Sequence, residues 1–355
     1  MRTIALYLTA LLILISPLAA KETQSPGAKT PQVLMPEPEN STLAPARTDT
    51  PEVWDIFGDF AVRGRKVHLT SLRSMLDTGL MAVTNTSDPN QAWQTLLQQE
   101  DIIAFKFNPV GAEVLATDWA IAQVMVESLE KAGWGRGQIM IVGLVGGVGL
   151  DGKGLNGGAK LAGTRPCPYG WQKELVDFGS DRDHLALWLQ EVTAIINVAA
   201  VLDDNVLGIR GALANATLGA VKQPARLYLN GGDPFVCDIY AHPAVRCKVR
   251  LHVVNALRIL AYGGPIAEER YVYEYGSLLL SRDPVALDTV AVHLLYRARR
   301  FVVLPDEVDE VIVVPYLLTA QALGLGQSDL NRIAYHRCRH GTAPRGGESS
   351  RTGEQ

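Results

Sequence analysis

The residues best placed to do chemistry lie in the stretch 194–221, AIINVAAVLDDNVLGIRGALANATLGAV. An apolar strand ends abruptly in two carboxylates, Asp203 and Asp204, and a Gly- and Ala-rich segment carrying Arg210 and Asn215 follows. In α/β proteins, binding and catalytic groups gather where a buried strand gives way to a polar loop. A second strand, DIIAFKFN at 101–108, ends in Lys106 and Asn108. Among the seven histidines, His242 and His252 are the candidates for a role, because they flank Arg246, Lys248 and Arg250. Asp288 stands among Val285, Ala286, Leu287, Val290 and Ala291. A carboxylate in such apolar company requires a partner. Asp283 needs no functional reading, since Ser281-Arg282-Asp283-Pro284 is a helix start with Asp283 as cap and Pro284 in the first turn.

Several chemistries are excluded or weakened by spacing. Residues 143–163 hold nine glycines, and Gly147 to Gly152 formally matches Gly-x-Gly-x-x-Gly. The fingerprint requires a helix to begin at the loop, and here Thr164-Arg165-Pro166 and Pro168 follow instead. The P-loop reading fails at Gly154, where Ser or Thr would hold magnesium. No nucleotide motif is therefore convincing, and a backbone-rich loop over a ligand site competes with a plain surface excursion. The four cysteines, Cys167, Cys237, Cys247 and Cys338, include no Cys-x-x-Cys pair, so iron–sulfur or zinc-ribbon ligation has no spacing to support it. Cys237 and Cys247 are close enough in sequence to close a short disulfide loop in an exported protein. There is no Gly-x-Ser-x-Gly elbow for an acyl-enzyme.

The elements that must position these groups alternate in type. Strands are expected at 101–108, 138–145, 194–202 and 275–280, with helices over 118–132, 183–192 and 284–296. Continuous apolar strands separated by helices predict an α/β fold with a mostly parallel, Rossmann-like sheet and helices on both faces. Ahead of it, Arg2, the apolar run Ile4–Ile15 and the small residues Ala19 and Ala20 read as a signal peptide over 1–20. Residues 21–52 are rich in Pro, Ser and Thr and read as a disordered linker, as does the tail 341–355. That leaves 53–340 as one large domain or two close-packed lobes, in a protein expected to be exported with no membrane span in its mature chain. The net charge of −4 offers no global field for nucleic acid. The basic region from Lys222 to Arg258 is either a solvated face or an anion-binding surface.

Taken together, several segments resemble the domain of unknown function 362 family. They are Phe105-Lys106-Phe107-Asn108, Thr117–Gly133, Ile195-Ile196-Asn197-Val198, Gly211–Gly219, Arg250 with His252, Gly263-Gly264-Pro265, Ser281–Asp288 and Ala320–Leu330. The resemblance implies an α/β protein, in some members with a ferredoxin-type cluster segment that this chain lacks, and no settled reaction. A looser, fold-level similarity to nickel-dependent lactate racemase transfers no function. The positions that match are Lys106, Asn108, Asn197, Asn215, Arg250, His252, Asp283 and Asp288. Where the family shows Lys-x-His after the Asn197 strand, this chain reads Leu202-Asp203-Asp204, and where it shows Lys-Asn this chain has Ala214-Asn215. The lysines and the histidine of those motifs are gone and two acidic groups have appeared, so Asp203 and Asp204 become candidate cation ligands.

Two functions are expected from this pattern. In one, an exported enzyme acts on a small anionic substrate held by Lys106, Asn108, Arg210 and Arg250, with His252, Asp288 and Asn215 as the catalytic groups. In the other, the fold and cleft persist in a non-catalytic protein that binds an anion or a cation. No cofactor is named by the sequence.

Overall fold

The computed structural model describes residues 50–144, 161–303 and 312–340. The expected signal peptide, most of the Pro-rich linker, the body of the glycine loop and the tail lie outside these residues. Strands β1 (Glu52–Phe57), β2 (Ile103–Phe107), β3 (Ile139–Val142), β4 (Ala194–Asp204), β5 (Val249–Leu260), β6 (Val272–Ser281) and β7 (Ala334–Arg339) join in the order β7-β1-β6-β5-β4-β2-β3. A two-residue strand, Gly208–Ile209, folds back antiparallel onto the end of β4 and completes an eight-stranded sheet. Only β6 among the long strands runs against its neighbours; β7–β1, β5–β4, β4–β2 and β2–β3 are parallel. The α/β class and the mostly parallel sheet are as the apolar runs predict.

Both faces of the sheet are covered, which is why β4 reads as a continuous apolar run with every residue buried. On one face lie α1 (Leu69–Thr84), α2 (Pro89–Leu96) and α3 (Asp118–Lys131). Helix α1 turns Leu72, Met75, Leu76 and Leu80 inward at helical spacing, and α3 adds Ile121, Met125 and Leu129; together they pack on Phe105, Phe107, Ile196 and Val253. The other face carries α4 (Ala212–Thr217), α5 (Phe235–Ala241), α6 (Pro284–Val302) and α7 (Pro315–Ala322). There Leu287, Val290 and Leu294 of α6 cover Ala199, Val254 and Leu279, while Leu213, Val236 and Tyr316 cover Ala104 and Ile195. Among the described residues no helix is long and apolar enough to cross a membrane.

The connections place the functional edge. From β2 the chain passes through α3 to β3 on one side, then crosses to β4 on the other side of β2. Such a reversal opens a crevice at the carboxyl ends of the strands, where α/β proteins bind ligands. Lys106, Asn108, Asp203 and Asp204 all come from that edge or just inside it.

One expected helix is corrected. Residues 183–192 do not form one continuous helix; Arg182 and Asp183 pair with Asp177 and Val176 as a small ladder, and only Trp188–Glu191 makes a helical turn. The Asp183 carboxylate accepts from the His184 and Gln223 amides, which commits this segment to a loop. The apolar spacing of Leu185, Ala186, Trp188 and Leu189 is used instead for packing beneath α4 and α5.

The expected cap of α6 is present, with Asp283 Oδ1 accepting from the Val285 and Ala286 amides, each at 2.9 Å. Its second oxygen accepts from the Gln327 amide at 3.0 Å and so ties the segment after α7 to the start of α6. Asp283→Ala is expected to lower the unfolding free energy by about 2 kcal/mol, read from urea denaturation, with Asp283→Asn losing less because it keeps one acceptor.

Candidate functional site

Strand register brings Lys106 of β2, Asn197 of β4, His252 of β5 and Ser281 of β6 into one lateral row. Alternation along each strand turns this row toward the α4–α6 face, because the neighbouring residues Phe105, Ile196, Leu251 and Leu280 belong to the opposite core. All four are buried. Asn215, on α4, reaches down and joins the row. Its Nδ2 donates to Asn197 Oδ1 at 2.7 Å and to the Lys106 and Val198 carbonyls at 3.1 Å, while its Oδ1 accepts from Lys106 Nζ at 3.0 Å. Lys106 Nζ also donates to its neighbour's carbonyl, Phe107 O, at 3.0 Å. Burial lowers the pKa of this amine to about 7, and no charged group contributes to the shift.

His252 is held at both ring nitrogens. Asn197 Nδ2 donates to Nδ1 at 2.9 Å, which makes Nε2 the protonated nitrogen, and Nε2 donates to the Tyr240 hydroxyl at 3.1 Å. Burial pushes its pKa down to about 3. The ring is therefore neutral near physiological pH, with its lone pair occupied. Asp288 finds the partner its surroundings demand in the first amides of α4. It accepts from Ala212 N in a short contact and from Leu213 N at 3.0 Å. Desolvation raises its pKa to about 7 against those two hydrogen bonds. Gly211 is required here, since a Cβ at that position would overlap the Asp288 carboxylate. Asp288 thus anchors the helix that delivers Asn215 and holds no hydrogen bond to His252 or Lys106 among the described residues.

Asn108 sits just past β2. Its Oδ1 accepts from Val110 N at 3.1 Å, and its Nδ2 is buried without a hydrogen-bond partner. A buried donor left without an acceptor costs free energy.

Asp203 and Asp204 lie at the carboxyl end of β4 and both face arginines. Asp203 bonds Arg299 Nη2 at 2.5 Å and accepts from Gly264 N at 3.0 Å. Asp204 bonds Arg210 Nε at 2.6 Å and accepts from the Val206 and Leu207 amides. Among the described residues no three His, Cys, Asp or Glu side chains converge into a metal cage. Beyond this strand end is a cavity of about 650 Å³, lined by the two aspartates, Asn205, Tyr262, Arg299 and Val313 among others.

Arg210 is consequently a counterion to Asp204 and stacks over Tyr228 at 5.1 Å. Arg250 is half-buried and donates to Cys247 O at 3.3 Å. The basic region of Lys222–Arg258 does not gather into one face. Arg226 pairs with Asp181, Arg246 donates to Gly324 O, Lys248 to Leu189 O, and Arg258 is buried against Val114 and Leu115 carbonyls and Glu269. The Cys237–Cys247 disulfide is also absent. Cys237 points into the core and donates to Tyr316 O at 3.1 Å, whereas Cys247 is exposed, and both are free thiols.

Of the residues singled out in the sequence, the structure brings together Lys106, Asn197, Asn215 and His252, and it adds Tyr240, which lies on α5 and carries no local signal. Sequence reading missed Arg299 as the partner of Asp203, ninety-six positions away. The mostly parallel sheet with helices on both faces and a polar carboxyl edge defines the class, an α/β protein with a switch-point crevice. A family model described as Domain of unknown function (DUF362) matches residues 157–293, and the chain carries a DUF362 domain over that span. The match takes in β4, β5, β6 and the start of α6, with Asn197, Asn215, His252 and Asp288; Lys106 and Asn108 precede it. No curated protein matches the chain.

Two measurements check this geometry. Asn215→Leu strands the Lys106 amine, the Asn197 amide oxygen and two strand carbonyls, and is expected to cost roughly 3 kcal/mol in denaturant unfolding. In the unfolded chain Lys106 binds its proton up to pH ~10.4, while in the folded protein it releases it near 7. Stability should therefore rise with pH between these values, and Lys106→Met should remove that rise.

Proposed function

We propose that this DUF362 protein binds a small anion, a carboxylate or a phosphate, at the carboxyl end of β2, with Lys106 and Asn108 as the residues that hold it. The observation that carries the reading is an amine buried with no carboxylate in contact, whose pKa of about 7 leaves its charge to be decided by what lies beside it. An anion would restore the ammonium and use its remaining N–H. Two residues further on, the unpartnered Asn108 Nδ2 is a second donor without an acceptor. A site rich in donors and lacking acidic side chains selects negative charge.

Binding without turnover is favoured over acid–base catalysis. His252 has both nitrogens engaged, and Asp288 is fully buried with a backbone amide on each oxygen, so neither presents an exposed base to a substrate. Export belongs to the same proposal and rests on the apolar N-terminal run Ile4–Ile15.

Calorimetric titration of the full chain at pH 8 with phosphate, sulfate and succinate, in buffers of different ionisation enthalpy, tests the reading. At least one anion is expected to bind with uptake of protons, and Lys106→Met to weaken it roughly tenfold or more. An absence of binding by all three, or equal affinity in Lys106→Met, overturns it.

A further inference from the structure

We infer that the cavity beyond the carboxyl end of β4 is a second binding site, one for an uncharged polyhydroxyl ligand the size of a mono- or disaccharide. It is separate from the anion reading and uses none of its residues. Its volume of about 650 Å³ falls within the range of roughly 300–1,000 Å³ typical of small-molecule sites. Its place, outside the end of a parallel strand, is where α/β folds bind ligands.

The charges on its wall are already balanced. Asp203 is paired with Arg299 and Asp204 with Arg210, and every oxygen of the two carboxylates has a donor. Among the described residues an entering ion would meet no uncompensated charge and would have to break a buried pair to gain one. What the cavity does offer is neutral hydrogen bonding. The Tyr262 hydroxyl and the Asn205 side-chain amide make no hydrogen bond among the described residues, and Asn230 uses only its Nδ2, on Asp233 O at 3.1 Å. Amides and phenols both donate and accept, as ligand hydroxyls do.

The rest of the lining is apolar. Val206 is 41% exposed and Val313 65% exposed, with Ile312 and Pro315 beside them. Side chains of this kind fit the C–H faces of a sugar ring, which alternate with its hydroxyl edges. The wall is also fixed in position. Gly264 packs against the Asp203 backbone so closely that a Cβ there would overlap the Asp203 carbonyl, and Asn205 N donates to Gly264 O at 3.1 Å.

Thermal-shift and calorimetric titrations of the full chain with glucose, N-acetylglucosamine, maltose and trehalose test the site, with phosphate, succinate and calcium chloride as ionic probes. At least one saccharide is expected to raise the melting temperature and bind. The double variant Asn205→Ala/Tyr262→Phe, which removes exposed or unbonded polar atoms only, should weaken that binding about tenfold or more at an unchanged melting temperature. Lys106→Met should leave it intact, which separates this site from the anion site. The inference is overturned if no saccharide binds at millimolar concentration or if the double variant binds as well as the parent. It is equally overturned if the double variant loses binding of phosphate, succinate or calcium, since the cavity would then be ionic.

Discussion

Taking the Lys106 amine out of water costs several kcal/mol unless acceptors replace the lost solvent, and the Asn215 amide supplies one of the two it finds. The same amide bonds carbonyls on β2 and β4 and the side chain of Asn197, so it stitches together the two strands that flank the switch point. Asn215 can do this only if α4 is held at a fixed height above the sheet. Asp288 fixes it, through the two amides at the start of that helix, and Gly211 allows the approach. A six-residue helix has little intrinsic stability; its position is set by a carboxylate on the neighbouring α6.

The interior and the edge solve the problem of buried charge differently. At the edge, Asp203 and Asp204 meet Arg299 and Arg210, each in direct contact, with backbone amides completing their coordination. Around the Lys106 row three ionisable groups hydrogen-bond only to dipoles, and the outcome is a shift of protonation: His252 down to about 3, Lys106 down to about 7, Asp288 up to about 7. Each shift favours the neutral form, which is the expected response to a dry site without counterions. The row is thus a hydrogen-bonded network of near-neutral groups. Such a network ties together three strands, β2, β4 and β5, as much as it serves any ligand.

How much of this was legible in the sequence depended on the range of the interaction involved. Strands β2 and β4 and the cap at Asp283 were legible because apolar runs and capping residues act over a few positions. The demand of Asp288 for a partner was legible too, from its apolar neighbours, but the partner was not, since it lies in a helix seventy-six positions earlier. The charge of Asp203 and Asp204 suggested cations because two adjacent carboxylates look unpaired until Arg299 folds back over them. The basic residues between 222 and 258 looked like a face for the opposite reason: Arg226, Arg246, Lys248 and Arg258 find their carbonyls or carboxylates elsewhere in the chain. Residues 183–192 misled through spacing alone, since a loop with apolar residues at helical intervals packs them just as well.

The departures from the family pattern have a structural sense once the pairs are drawn. A lysine and a histidine at positions 202 and 204 would bring cationic groups to a strand end that already faces Arg210 and Arg299. With Leu202, Asp203 and Asp204 there, the same arginines become internal counterions, and Leu202 packs with Leu115 and Leu260. The charges at this edge are therefore spent within the protein. Lys106 remains a buried amine with no carboxylate in contact, so the proposed anion recognition falls at the β2 edge and not at the β4 edge.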